Sequence, residues 1–175
     1  IGFAFKDVVR DNLFGVGPVA AAWLVGGVVI LGLERQGFLR RPGIALHEVT
    51  IRQALPIGLF QAVALWPGTS RSLVTIIGAV AVGLSLEAAV EFSFLLGLVT
   101  LGAATVLTGA SDGKLMLDTF GLVTPLIGLV VAFAAAVVSV RWMVTWLQQR
   151  SFDVFGWYRL AIGVLALGLL AAGVL

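Results

Sequence analysis

The chain has no cysteine and a single histidine, and only eleven basic and nine acidic side chains among its 175 residues. The missing thiols exclude disulfides and thiolate chemistry. One histidine and no cysteine also exclude a metal site built on imidazole or thiolate ligands, although a cation held by carboxylates stays open. Charged residues make up 11% of the chain, against about a quarter in a soluble domain. With 60% apolar residues and a strongly positive mean hydropathy, this composition excludes an ordinary soluble fold and specifies an all-α, polytopic integral membrane protein. The net charge of +2 rests on so few groups that it points to no nucleic-acid partner; the basic residues sit in connections, as membrane topology requires. The first residue is Ile1 and residues 1–12 lack a signal-peptide layout. The reading is therefore of a single transmembrane domain, 1–175, incomplete at its N-terminus.

Residues 13–33, 86–107, 121–147 and 156–175 are apolar runs long enough to span a bilayer. Gly15, Gly17, Gly26, Gly27 and Gly32 in the first suggest close helix packing. Ser85 is placed to cap the second, with Glu87 in the first turn where the helix dipole favours an anion. Residues 109–118 read as a short acidic loop, and 34–52 as a polar connection broken by Pro42-Gly43. If both ends of the next segment lie on one side, that side carries Arg35, Arg40, Arg41, Arg52 and Arg150 against Lys6, Arg10 and Lys114 opposite. The positive-inside rule then makes it cytoplasmic.

The stretch 53–84 departs from this pattern. Uncharged runs at 55–66 and 73–84 flank the polar turn Pro67-Gly68-Thr69-Ser70-Arg71-Ser72. Each run as a helix is roughly 20 Å or less, short of a hydrocarbon core of about 30 Å. Two half-helices meeting at the turn, a re-entrant hairpin, fit better than one helix with Pro67-Gly68 at its middle. Irregular backbone at that depth is tolerated only where protein or a water-filled cavity surrounds it.

An arginine at membrane depth is costly and usually faces a cavity, a partner charge or a ligand. Ser70, Arg71 and Ser72 open the second half-helix, where free N–H groups and the positive dipole end favour an anion. Arg71 adds a forked donor suited to phosphate oxygens, and Thr75, four residues on, lies on its helix face. Gly68 lets backbone approach a ligand and Pro67 ends the preceding half-helix. The competing reading is structural: Arg71 paired with a buried carboxylate such as Glu91. The hydroxyls that flank Arg71 favour phosphate.

The string from Gln61 through Trp66-Pro67-Gly68-Thr69-Ser70-Arg71-Ser72 to Thr75 resembles the second signature of the undecaprenyl-pyrophosphate phosphatases of the bacitracin-resistance type. Leu84-Ser85, Glu87-Ala88-Ala89, Phe92-Ser93-Phe94-Leu95-Leu96 and Tyr158-Arg159 continue the match. The resemblance implies an integral enzyme of the bacterial inner membrane that removes one phosphate from the C55 lipid pyrophosphate, so that the carrier recycles in cell-wall synthesis. It implies an inverted-repeat fold with a re-entrant hairpin in each half, a divalent cation (Mg²⁺ or Ca²⁺), and room for a homodimer. The site opens toward the outer face. Arg71, Ser70 and Thr75 are then the catalytic residues, with Gly68, Thr69 and Ser72 around the phosphate. Leu73 and Val99 replace a usual Gly and a common Pro. The family's first signature, a Glu-x-x-x-Glu followed by a Ser-rich turn and a His, is absent from these residues. The carboxylates and their metal are expected in an upstream half, and this chain alone is expected to be inactive.

Glu87 and Glu91 share that spacing and a helix face, but no Ser-rich turn follows, and helix capping and packing explain them. His47, beside Glu48, reads as a loop or interfacial residue. Trp66, Trp142, Trp146 and Trp157 read as interfacial anchors. A rival from another class is a polyprenyl-phosphate flippase, since carriers also use inverted repeats with broken helices.

Overall fold

The computed structural model describes residues 13–149 and 151–174, and within them the chain is helical. Six α-helices follow in order: α1 (Val16–Arg35), α2 (Ile51–Phe60), α3 (Arg71–Ala81), α4 (Leu86–Phe120), α5 (Val123–Gln149) and α6 (Asp153–Ala171). Short 3₁₀ turns occupy Phe38–Arg40, Leu46–Glu48 and Gln61–Leu65. Four helices are long and apolar enough to cross a membrane: α1, α4, the Val123–Met143 part of α5, and α6. The sequence expected spans at these four places. Lys6 and Arg10, and Arg150 opposite them, lie outside the described residues.

One expectation is corrected. Residues 109–118 are not a loop; α4 runs unbroken to Phe120. The polar side chains there bond backward along the helix, Ser111 Oγ to the Thr108 carbonyl at 3.1 Å and Thr119 Oγ1 to the Leu115 carbonyl at 2.7 Å. They are satisfied without breaking it. The helix stops where Gly121 takes a φ of +67°.

The chain divides into two compact units, one of Ile1–Ser93 with Ser151–Leu175 and the other of Phe94–Arg150. The second unit holds the greater part of α4 and all of α5. Its apolar side chains are exposed nearly all round, and the α5 span has no buried residue. A helix apolar on every face is one that a hydrocarbon environment or another protein surface covers.

In the first unit α1 and α6 pack lengthwise through small residues. A Cβ on Gly27 would sit 2.9 Å from the Gly156 carbonyl and 2.8 Å from Leu160 Cγ; one on Gly163 would meet Leu24 at 2.7 Å. Without a hydrophobic drive between helices in lipid, such close approach of backbones supplies the dispersion energy that holds them. At one end Glu34 Oε1 accepts from Arg40 Nε and Nη2, both at 2.7 Å, and from Ser151 Oγ at 2.8 Å. This ties the end of α1 to the start of α6.

α2 and α3 pack against each other. Gln53 Oε1 accepts from the Thr50 N–H at 3.0 Å and fastens the start of α2, while its Nε2 reaches the Val82 carbonyl at 3.5 Å. α3 closes in a Schellman motif at Gly83, φ +103°: Gly83 N–H bonds the Val80 carbonyl and Leu84 N–H the Ala79 carbonyl. The Pro42-Gly43 connection then lies against this end. Ile44 N–H bonds the Gly83 carbonyl and Ser85 N–H the Ile44 carbonyl, at 3.0 and 3.1 Å. A Cβ on Gly43 would overlap the Leu84–Ser85 peptide. Ser85 Oγ accepts from the Ala88 N–H at 3.2 Å, the cap the sequence anticipates.

The glycine packing sets a test. Gly27→Ala places a methyl against the Gly156 backbone and should cost about 1–3 kcal/mol, whereas Gly32→Ala meets nothing within 4 Å. Thermal unfolding in detergent should show a lowered midpoint for the first and none for the second.

Candidate phosphate-binding turn

The segment between α2 and α3 is built from residues that cannot continue a helix. The 3₁₀ turn Gln61–Leu65 leads into Trp66, whose ψ of 117° ends helical geometry ahead of Pro67. Thr69 N–H closes a turn onto the Trp66 carbonyl at 3.2 Å. Gly68 has a φ of +90°, and a Cβ there would lie 2.8 Å from the Val19 carbonyl of α1 and 3.2 Å from Trp23. Only glycine meets both demands. Trp66 Nε1 donates to the Pro18 carbonyl at 3.1 Å. Two contacts thus seat the turn on α1.

Ser70 is the N-cap of α3, at φ 72° and ψ 109°. It is the one non-glycine residue with positive φ among those described. Strain of this kind costs on the order of 1–3 kcal/mol and persists only where surroundings enforce it, commonly at functional sites. Ser70 Oγ accepts from the Leu73 N–H at 3.4 Å and lies 3.2 Å from Ser72 Oγ. Among the described residues no acceptor faces the N–H groups of Ser70, Arg71 and Ser72. With the helix dipole behind them, they form an anion-binding end.

Arg71 donates through Nη1 to the Ser93 carbonyl at 3.4 Å, a long contact. Among the described residues it makes no ion pair, so the Arg71–Glu91 lock weighed from the sequence does not form. Most of its fork is left with donors to spare. Thr75 sits deeper. Its hydroxyl is 0% exposed and bonds the Arg71 and Ser72 carbonyls at 2.9 and 3.1 Å, and Ser93 Oγ at 2.6 Å. The backbone contact to Arg71 is the i−4 geometry expected from the spacing, and Ser93 is equally buried at 1%. In this arrangement Thr75 fixes α3 to the start of α4, and through it the residues that open α3.

A third element completes the site. Arg159 of α6 reaches the turn through Nη2, which lies 2.7 Å from the Gly68 carbonyl, 3.4 Å from that of Thr69 and 3.2 Å from that of Ala22. Gly26 makes the space: a Cβ there would be 2.7 Å from Nε and Nη2. The turn is therefore held by α1, α4 and α6 together.

Reading the residues singled out Gly68, Thr69, Ser70, Arg71, Ser72 and Thr75, and the structure brings them into one turn and its first helical turn. It missed the roles of Arg159 and Ser93. The signal for Arg159 was present, since it is the sole charge in the apolar run 156–175, the same criterion that picked out Arg71. Ser93 carried none. His47 is exposed in the 3₁₀ turn Leu46–Glu48, and Glu48 Oε2 accepts from the Ala45 N–H at 2.8 Å, so both are loop residues. Glu87 is exposed in the first turn of α4 and Glu91 is half-buried one turn on.

Four long apolar helices, with a strained, arginine-bearing turn between α2 and α3, define a multi-pass membrane protein. The particular family follows from sequence comparison: the chain belongs to the family described as Bacitracin resistance protein BacA, whose sequence model matches residues 1–165. It is 44% identical over 173 residues to a protein of Sorangium cellulosum named undecaprenyl-diphosphatase, covering 97% of this chain and 56% of that protein. Against undecaprenyl-diphosphatase 2 of Rhodospirillum rubrum it is 44% identical over 171 residues, 95% and 60% of the two chains. Against undecaprenyl-diphosphatase 1 of Oenococcus oeni it is 36% identical over 178 residues, 100% and 64% of the two chains. The chain thus spans a little over half to under two thirds of the length of these curated relatives.

The Thr75–Ser93 contact gives a direct test. Thr75→Val keeps the shape but strands Ser93 Oγ in a buried position, and should destabilise by about 1–3 kcal/mol. Thr75→Ser should restore most of the loss. Thermal unfolding of the two variants in one detergent checks both.

Proposed function

We propose that the complete protein dephosphorylates undecaprenyl (C55) pyrophosphate to the monophosphate carrier lipid, in cell-wall synthesis and bacitracin resistance. The observation that carries this reading is the turn. Unpaired N–H groups at Ser70, Arg71 and Ser72, the spare donors of Arg71 and the hydroxyls of Thr69, Ser70 and Ser72 lie within one turn and the first turn of α3. Family membership and the names of the relatives support hydrolysis over a carrier that holds phosphate without cleaving it. Arg71, Ser70 and Thr75 are the residues assigned to the reaction, Thr75 acting from its buried position by holding the Arg71 and Ser72 backbone, with Gly68, Thr69 and Ser72 shaping the phosphate site. Arg71 neutralises charge that accumulates on the phosphoryl oxygens, and the N–H groups add fixed dipoles that need no reorganisation.

In this reading α2 and α3, 10 and 11 residues long, form the two arms of a re-entrant hairpin over 53–84, because neither reaches across a bilayer alone. The hairpin belongs to one half of an inverted repeat in the inner membrane, with the turn opening toward the outer face. Arg35, Arg40, Arg41 and Arg52 near its base support that orientation.

The described residues of this chain do not fit the divalent cation, Mg²⁺ or Ca²⁺, that the family implies. Among the described residues no three His, Cys, Asp or Glu side chains come together. Carboxylates other than the described ones would have to hold it, together with the general base. Residues 1–175 alone are accordingly expected to lack turnover, and a homodimer is compatible with the reading.

The test is release of inorganic phosphate from a polyprenyl pyrophosphate by the full-length protein. Arg71→Ala should abolish turnover and Arg71→Lys, which keeps charge but loses the fork, should retain little. Wild-type turnover in a folded Arg71→Ala variant would remove Arg71 from the site. Metal-dependent turnover by residues 1–175 alone would show instead that the site is complete here, with Glu87 and Glu91 as the residues to mutate first.

A further inference from the structure

Arg159 is an expensive residue for an apolar helix, and the way its fork is used is unusual. Nη2 faces three backbone carbonyls, two of them in the turn, and Nε is buried with no partner. A guanidinium kept only to join α1 and α6 would need the Ala22 contact alone. The turn contacts have a geometric consequence. In a trans peptide the C=O and the following N–H point in opposite directions. Drawing the Thr69 carbonyl toward α6 therefore turns the Ser70 N–H away from it. The Gly68 peptide is fixed likewise, with its N–H partner, that of Thr69, spent on the Trp66 carbonyl. Ser70, the next residue, sits at φ 72°.

We infer that Arg159 is a positioning residue for the phosphate turn: it holds the Gly68 and Thr69 carbonyls toward α6, so that the turn presents its N–H donors, and not these two carbonyl oxygens, to a bound pyrophosphate. Free carbonyls beside an anion would repel it, and their capture by a cation removes that repulsion while adding positive potential behind the turn. Gly26 is part of the device, since its missing side chain is the space the guanidinium occupies.

This inference rests on the proposed activity, and the experiment separates the two. In the full-length protein, Arg159→Gln and Gly26→Ala should each raise KM for a polyprenyl pyrophosphate about tenfold or more, the size of one charge-assisted hydrogen bond. Gly26→Ala displaces only the far end of a flexible side chain, so its thermal midpoint should stay near wild type. Arg159→Lys should recover part of the affinity, because one ammonium can reach both carbonyls. Gly163→Ala loosens the same helix pair without touching Arg159; it should lower the thermal midpoint and leave KM unchanged. Unchanged KM in folded Arg159→Gln and Gly26→Ala, or an equal rise in Gly163→Ala, overturns the inference. Loss of kcat in Arg159→Gln with KM and pyrophosphate affinity unmoved would make Arg159 a group acting on the reacting phosphate instead, and also overturns it. If the wild type shows no turnover, the proposed activity fails. Calorimetric binding of inorganic pyrophosphate then decides the inference: Arg159→Gln and Gly26→Ala must weaken it by the same factor, and equal affinity refutes the role.

Discussion

Peptide groups released from a helix among apolar surroundings must find other partners, because no water replaces the lost bonds. The structure around residues 66–70 follows from that requirement. Trp66 and Thr69 satisfy each other across the turn, Arg159 takes the carbonyls of Gly68 and Thr69, and Ser70 Oγ caps α3. The N–H groups left over are those at the start of α3, a helix end whose dipole favours an anion. The same set of contacts that makes the break tolerable also gives it chemistry.

Each support reaches the turn from a different helix. The glycines of α1 and α6 bring those helices close enough for Arg159 to cross from one to the turn, with Gly26 giving way to the guanidinium. The buried Thr75–Ser93 pair fixes the first turns of α3 to α4. The Schellman end of α3 and the Ile44 strand-like contact hold its far end. Strain at Ser70 persists because these attachments outnumber the residues being held.

Hydropathy sufficed for the four long apolar helices because length and apolarity alone decide whether a segment can span. The broken segment was also legible: Pro67 and Gly68 interrupt a regular helix, and the donors that follow open a new one. The loop expected at 109–118 was misread because Ser111, Asp112 and Asp118 were counted as polar loop residues. On a helix, Ser and Thr hydroxyls return to the preceding turn and cost little. Ser93 and Arg159 were missed for a different reason. Their roles depend on which helices pack together, and a period along one helix carries no record of its neighbour. The coincidence of Arg159 with Gly26 exists only in three dimensions.

The central claim is that the turn at 67–72 holds the phosphate of the lipid substrate. The chain has no cysteine, so a single thiol can be placed at Ser72 in a full-length protein made otherwise cysteine-free, and its reaction rate with a water-soluble maleimide measured. A turn that binds the headgroup gives a reactive thiol that polyprenyl pyrophosphate protects in a saturable way. A labelling rate unchanged by saturating substrate would contradict the account.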